Sequence, residues 1–168
     1  VWGKTSFETN KFISKNKLNG VEFSVFKKIE DCVKGADIVI TTTPSRRPIV
    51  KLSWLKNNCH INAIGADAAG KQELDPDILK RSKLVVDSWK QASHSGEINI
   101  PVNKKILTKE DIYADIGEIV NRTKNGRTDK DGITVFDSTG LAIQDAALAN
   151  FVYMSALKNK TGKRINIV

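Results

Sequence analysis

The densest group of residues able to do chemistry runs Ile61-Asn62-Ala63-Ile64-Gly65-Ala66-Asp67-Ala68-Ala69-Gly70-Lys71-Gln72-Glu73-Leu74. An apolar stretch ends there in Gly65, whose missing Cβ lets a ligand approach the backbone closely. Asp67 follows, and Lys71 stands four residues beyond it. A carboxylate at a strand end, beside a bound ligand, moves a proton or orients a water, as general acid–base catalysis requires. The same spacing suits an Asp67 that caps a helix and a Lys71 on the surface, because aspartate is a common cap. Spacing alone serves both readings.

Three other groups share this habit of polar residues placed just after an apolar run. Thr134-Val135-Phe136-Asp137-Ser138-Thr139-Gly140-Leu141-Ala142-Ile143-Gln144-Asp145 offers two small hydroxyls, Ser138 and Thr139. Its acids, Asp137 and Asp145, read as caps of the following helix, whose amino terminus favours negative charge. Ala36-Asp37-Ile38-Val39-Ile40-Thr41-Thr42-Thr43-Pro44-Ser45 ends in threonines that either bond a ligand or simply form strand. In Ser95-Gly96-Glu97-Ile98, Glu97 either organises a site or caps a turn. Cys32 and Cys59 fit no zinc or redox spacing and read as small buried apolar residues. His60 follows Cys59 within an expected strand, so the two face opposite ways, and His94 stands alone. No metal site is expected.

The elements that must position these residues alternate between strand and helix. Strands are expected over Val21–Phe26, Ile38–Thr43, Cys59–Ile64, Lys83–Val86 and Ile133–Phe136, and over Arg164–Ile167 at the end. Helices are expected at Ile29–Lys34, briefly around Trp54 and Leu55, from Pro76 to Lys80, from Asp111 to Val120, and from about Leu141 to Lys158. Gln91 to Ile98 reads as a loop with a helical turn. Such alternation implies a parallel sheet with helices on both faces, its β-branched strands buried on both sides. Ligands bind such sheets at the carboxyl ends of the strands. That rule selects four segments: Thr41 to Arg46, Ile64 to Lys71, Asp87 to Glu97, and Asp137 to Gly140.

Composition excludes several other classes. The 168 residues are 40% hydrophobic and 27% charged, with a formal net charge of +8. The basic residues are scattered and not interleaved with aromatics, which argues against a nucleic-acid platform. No apolar stretch is long enough to span a bilayer, and no signal peptide opens the chain. The expectation is a soluble, cytoplasmic protein that binds neither nucleic acid nor membrane.

The segment from Ile61 to Leu74 resembles the "NA-x-G-(A/G)-D-x-x-GK-x-EL" motif of the ornithine cyclodeaminase/mu-crystallin family, and Thr134 to Asp145 is similar to its "FDS-x-G-x-A-x-x-D". The wording is most like that of the archaeal alanine dehydrogenases within it. The resemblance implies a Rossmann-like, doubly wound α/β domain over residues 1–140, then a long helix and tail, 141–168, returning to a dimerisation and substrate domain. It implies that Val1-Trp2 end the second Rossmann strand, so that the first strand, the glycine-rich loop and an amino-terminal domain lie outside the sequence. A sheet so truncated exposes apolar surface and an unpaired edge. Asp67 becomes the catalytic proton donor and acceptor and, with Thr139, a substrate contact. Lys4, Thr5, Thr42, Thr43, Ile64, Gly65, Ala66, Lys71 and Ser138 become cofactor contacts. The cofactor is NAD or NADP, and Lys4, where an NAD enzyme carries an acid, leans the choice towards NADP unless it is simply solvated. The implied partners are a small amino-acid substrate and a second copy of the chain, with 164–168 at that dimer interface. The activities implied are alanine dehydrogenation, ornithine cyclodeamination, or non-catalytic NADP(H) binding.

Overall fold

The computed structural model describes residues 1–16, 19–163 and 165. Five parallel strands form the main sheet in the order β1 (Ile38–Thr41), β3 (His60–Ala63), β7 (Thr134–Asp137), β5 (Lys83–Val86) and β6 (Ala114–Asp115). A separate parallel ribbon pairs β2 (Arg46–Val50) with β4 (Gln72–Leu74). Because every main-sheet strand runs the same way, the segments after β1, β3, β5 and β7 all emerge at one edge. This is the open α/β sheet of the Rossmann type that the alternating pattern implies.

Helices connect the strands. They are α1 (Ser6–Lys15), α2 (Ile29–Val33), α3 (Pro76–Arg81), α4 (Trp89–Ser95), α5 (Asn99–Asn103), α6 (Ile116–Val120) and α7 (Ala142–Asn159). The helix α3 starts on Pro76, whose fixed φ suits a first turn, with Asp75 accepting from the Asp77 N–H at 3.1 Å. The core lies on one sheet face, where Ile61, Leu84, Val86 and Val135 meet Ile78 and Leu79 of α3, Ile98 and Leu107.

Burial on both sheet faces is not what the strands show. They alternate, with β1 reading exposed–buried–exposed–buried and β5 half-buried–buried. On the second face, Ile116 and Ile119 of α6 lie near Val85 and Phe136, while Ile38 and Ile40 on edge strand β1 stay 62% and 63% exposed. The unpaired, apolar edge expected from the resemblance is therefore present.

Other expectations need correction. Val21 to Phe26 is not a strand, and neither is Val1-Trp2. The two stretches touch through the Val1 amino group on Ser24 O at 2.7 Å and the Phe26 N–H on Val1 O at 3.0 Å. The helix expected over Asp111–Val120 forms only from Ile116, because Ala114 and Asp115 pair with Val85 and Val86 as β6. Gln91 to Ile98 is mostly helical, within α4. The terminal strand expected from Arg164 lies outside the described residues except for Ile165. No helix among the described residues is long and apolar enough to cross a membrane.

Candidate functional site

At the carboxyl edge of the sheet, β3 runs into a tight loop. The Ile64 and Gly65 N–H groups both bond Thr41 O at 3.0 Å, and the Asp67 N–H bonds Gly65 O at 3.2 Å. A Cβ on Gly65 would sit 2.4 Å from Glu73 Oε2 and 2.4 Å from Thr43 O, so glycine is required there by close packing. Asp67 projects outward with its side chain 60% exposed, and its carboxylate contacts the Lys71 ammonium. That ammonium holds the Asp67 carboxyl below its ordinary range, by hydrogen bond and charge. At neutral pH Asp67 is therefore ionised, the form that accepts a proton. The helix-cap alternative for Asp67 is not what this geometry presents. The nearest cap belongs to Asp75, and Asp67's own side chain bonds Lys71.

Beneath this loop runs a frame of buried acids. Glu73, on β4, accepts from Thr43 N–H at 2.6 Å and from Gly65 N–H at 3.0 Å, tying the ends of β1 and β3 together. Glu97 accepts from the Glu73 and Leu74 N–H groups at 2.6–3.0 Å. Asp137 accepts from Glu97 N–H at 2.9 Å and Ile98 N–H at 3.1 Å. Asp87 accepts from Thr139 N–H at 2.6 Å, Gly140 N–H at 2.9 Å and the Thr139 hydroxyl at 2.9 Å. Asp137 thus caps no part of α7, contrary to the sequence reading; it faces the α4–α5 junction. Asp145 does sit in the first turn of α7. Glu97 is an organiser of backbone, not merely a turn cap.

Burial pushes the Glu97 carboxyl well above its usual range, its N–H partners pulling the other way and the charges of Asp137 and Glu73 adding to the rise. Burial likewise raises Asp137 to about 7, opposed by the Glu97 and Ile98 N–H groups and aided by Asp87. A carboxyl whose native value exceeds its unfolded one stabilises the fold most below the unfolded value, near 3.8, and that contribution disappears as pH rises to about 7. The full loss is on the order of 4 kcal/mol. In the full-length protein, urea melts at pH 5 and pH 8 should show the wild type losing stability relative to Asp137→Asn as pH rises. A gap that stays constant would contradict it.

The other residues singled out from the sequence divide into two groups. Thr42 and Thr43 line a cleft of about 520 Å³ together with Val1, Trp2, Gly3 and Thr41. Ile64 is 39% exposed, and Ser138 is half-buried with its N–H on Ala63 O at 3.0 Å. These, with Asp67 and Lys71, gather at the strand ends. Ala66 is buried and presents only its backbone. The Thr139 hydroxyl is spent on Asp87. Thr5 is the N-cap of α1, accepting from Glu8 N–H at 3.2 Å, and Lys4 is exposed beside it. Cys59 is buried, Cys32 only partly. His60 Nδ1 lies 2.7 Å from Thr134 Oγ1 on the opposite face. No group of three metal-ligating side chains occurs among the described residues.

Thr41, within the threonine run marked out by the sequence, lines the cleft, and its buried Oγ1 has no hydrogen-bond partner among the described residues. Sequence reasoning missed Asn99, which is 1% exposed and bonds Gly70 N–H and Lys71 O at 3.0 and 2.8 Å. Buried polar side chains look like surface residues in a sequence, and only their distant backbone partners reveal them.

Comparison with known proteins follows the same lines. An alanine dehydrogenase of Archaeoglobus fulgidus is 50% identical over 155 residues, 92% of this chain and 48% of that protein. The solved structure of an archaeal alanine dehydrogenase dimer with bound NAD superposes with a TM-score of 0.89 at 46% identity, covering 99% of this chain and 52% of that one. The Δ1-pyrroline-2-carboxylate reductase of Thermococcus litoralis, solved with NADH and L-proline, gives 0.87 at 34% identity, covering 98% and 52%. The chain thus spans about half the length of these relatives. A sequence model described as the ornithine cyclodeaminase/mu-crystallin family matches residues 1–160, and the chain belongs to that family.

Proposed function

We propose that these residues form the dinucleotide-binding part of an NAD(P)-dependent amino-acid oxidoreductase of the alanine dehydrogenase type, in which Asp67 handles the proton. The observation that carries this reading is the exposed, ionised Asp67 held by Lys71 at the end of β3, two residues beyond a glycine that close packing against Glu73 and Thr43 requires. The residues present fit a dinucleotide. Thr41, Thr42 and Thr43 line a cleft that runs along β1 to its carboxyl end, and the buried Thr41 hydroxyl has no hydrogen-bond partner among the described residues. The strand end at Ile64, Gly65 and the Ala66 backbone is the bed a nicotinamide would lie against beside Asp67, and Lys71 and Ser138 follow at the neighbouring strand ends. Lys4 and Thr5 follow the stretch that lines the cleft, and the exposed Lys4 cation favours a 2′-phosphate, hence NADP over NAD.

A nicotinamide bound there would supply the hydride acceptor for the substrate α-carbon. Asp67 takes the proton from the water that attacks the resulting imine carbon and returns it to the departing nitrogen. Overall, L-alanine, NAD(P)⁺ and water give pyruvate, ammonium, NAD(P)H and a proton. Lys71 keeps Asp67 ionised and aimed, while Thr139, its hydroxyl on Asp87, offers the substrate only its methyl group. The helix α7 carries Leu148, Phe151, Val152, Tyr153, Met154 and Leu157 largely exposed. Such a helix supports a division at residue 140, with 141–168 packing against a substrate domain and a second copy.

The test is an assay of the full-length protein with L-alanine, L-ornithine, NAD and NADP. Pyruvate and NAD(P)H in equal amounts are expected from alanine. Proline and ammonium from ornithine, without net reduction, would replace this reading by cyclodeamination. Cofactor binding without turnover of either amino acid would replace it by a binding protein.

A further inference from the structure

The loop that carries Asp67 and Lys71 has little packing of its own. Ile64, Asp67 and Ala69 are exposed, and Gly70 adopts φ +81°, a conformation open to few other residues. Its geometry is set from below at two points. The first is Glu73, which holds Gly65 N–H, as described above. The second is Asn99, at the start of α5. Its Oδ1 accepts from Gly70 N–H at 3.0 Å, and its Nδ2 donates to Lys71 O at 2.8 Å and to Gly96 O at 2.5 Å. An asparagine amide has two donor hydrogens and one acceptor oxygen, so both ends of this buried side chain are engaged. The Asn99 bonds fall at the residue before Lys71 and at Lys71 itself, the partner of Asp67.

We infer that Asn99 is a positioning residue: by clamping the backbone at Gly70 and Lys71 it sets where the Lys71 ammonium, and through it the Asp67 carboxylate, stand relative to the strand-end bed at Gly65. The inference rests on the proposed reading of Asp67. Asn99 touches neither of those side chains; it acts on the backbone that carries them. The other side of the clamp is firm, because Asp137 accepts from the Glu97 and Ile98 N–H groups and packs against Gly96, where a Cβ would lie 2.6 Å from its carboxylate. Asn99 therefore connects the α4–α5 junction to the reacting edge across 28 residues of sequence.

Substitution by aspartate keeps the shape and the bond from Gly70 but turns an oxygen towards Lys71 O and Gly96 O, where two donors stood. In the full-length protein, Asn99→Asp should lower kcat roughly 10- to 100-fold, the cost of misplacing a reacting group by about an ångström. The dissociation constant for the cofactor should change little. Leu84→Ala, a core change on β5 that touches none of the Asn99 bonds, serves as the comparison. It should lower the melting temperature while leaving kcat per folded molecule unchanged. If Asn99→Asp lowers kcat only in proportion to its loss of folded protein, as Leu84→Ala does, the positioning role is wrong. Amide hydrogen exchange on the wild type gives a measurement independent of any variant. The Gly70 amide should be as protected as the β3 amides, and free exchange there would overturn the proposal. Failure of the underlying reading looks different: Asp67→Asn would then keep full turnover, whatever Asn99 does.

Discussion

Asp67→Asn in the full-length protein is expected to lower kcat by about 10²–10⁴-fold, the range that a positioned general base contributes. The carboxamide is isosteric, so the loop should keep its path. It cannot take up a proton, however, and it offers Lys71 no negative charge. Because Asp67 is exposed and contributes no core packing, the melting temperature should hardly move. Cofactor affinity, measured by fluorescence of the reduced nicotinamide, should also be retained. The signature is therefore a fall in kcat with binding and stability intact. Unchanged turnover would remove the proton-transfer role, and loss of cofactor binding alone would recast Asp67 as a binding residue.

Gly65→Ala should damage both stability and binding. The added methyl would lie 2.4 Å from Glu73 Oε2 and Thr43 O and 2.5 Å from Thr43 N, all closer than any real Cβ contact. Relief requires the Glu73 carboxylate to leave two N–H groups it now holds at 2.6 and 3.0 Å. Overpacking costs about 1–3 kcal/mol, and each buried donor left unpaired costs roughly 1–3 kcal/mol more. A total of about 3–9 kcal/mol is expected in urea melts. Because the clash also displaces Thr43, which lines the cleft at the end of β1, cofactor affinity should fall at least tenfold, about 1.4 kcal/mol. A melt within about 1 kcal/mol of the wild type would show that the contact yields easily.

The strands that the sequence announced are those with an unbroken apolar run, such as Ile38 to Ile40 and Leu84 to Val86, and the helices are those with a start signal like Pro76 or a long apolar body like α7. The helix α1 escaped because it buries only Thr9 and has no apolar stripe to announce it. Its cue was Thr5 with Glu8 three residues later, the sequence mark of a capped amino terminus. The β2–β4 ribbon escaped for the opposite reason. Gln72 and Glu73 are polar yet buried, so no alternation of apolar and polar residues marks β4. The same asymmetry divides the site. Asp67, Lys71 and Thr43 were legible because they follow strands whose ends must gather at one edge. Asn99, and the pairing of Glu73 with Thr43 and Gly65, were not. Glu73 bonds a backbone group 30 residues away, and no local pattern records such a pairing.

The placement of β7 has a kinetic consequence. Although it is the last strand of the main sheet in chain order, it stands at the centre, joining β3 to β5. Until residues 134–137 are available, β1 with β3 and β5 with β6 are two separate pairs with no strand between them. His60 must then find Thr134 across 74 residues. Closing so long a loop makes nucleation slow and leaves hydrophobic strand edges open meanwhile. A ribosome that stalls before residue 134 would therefore release two sticky half-sheets, and chaperone demand during synthesis should peak just before that strand emerges.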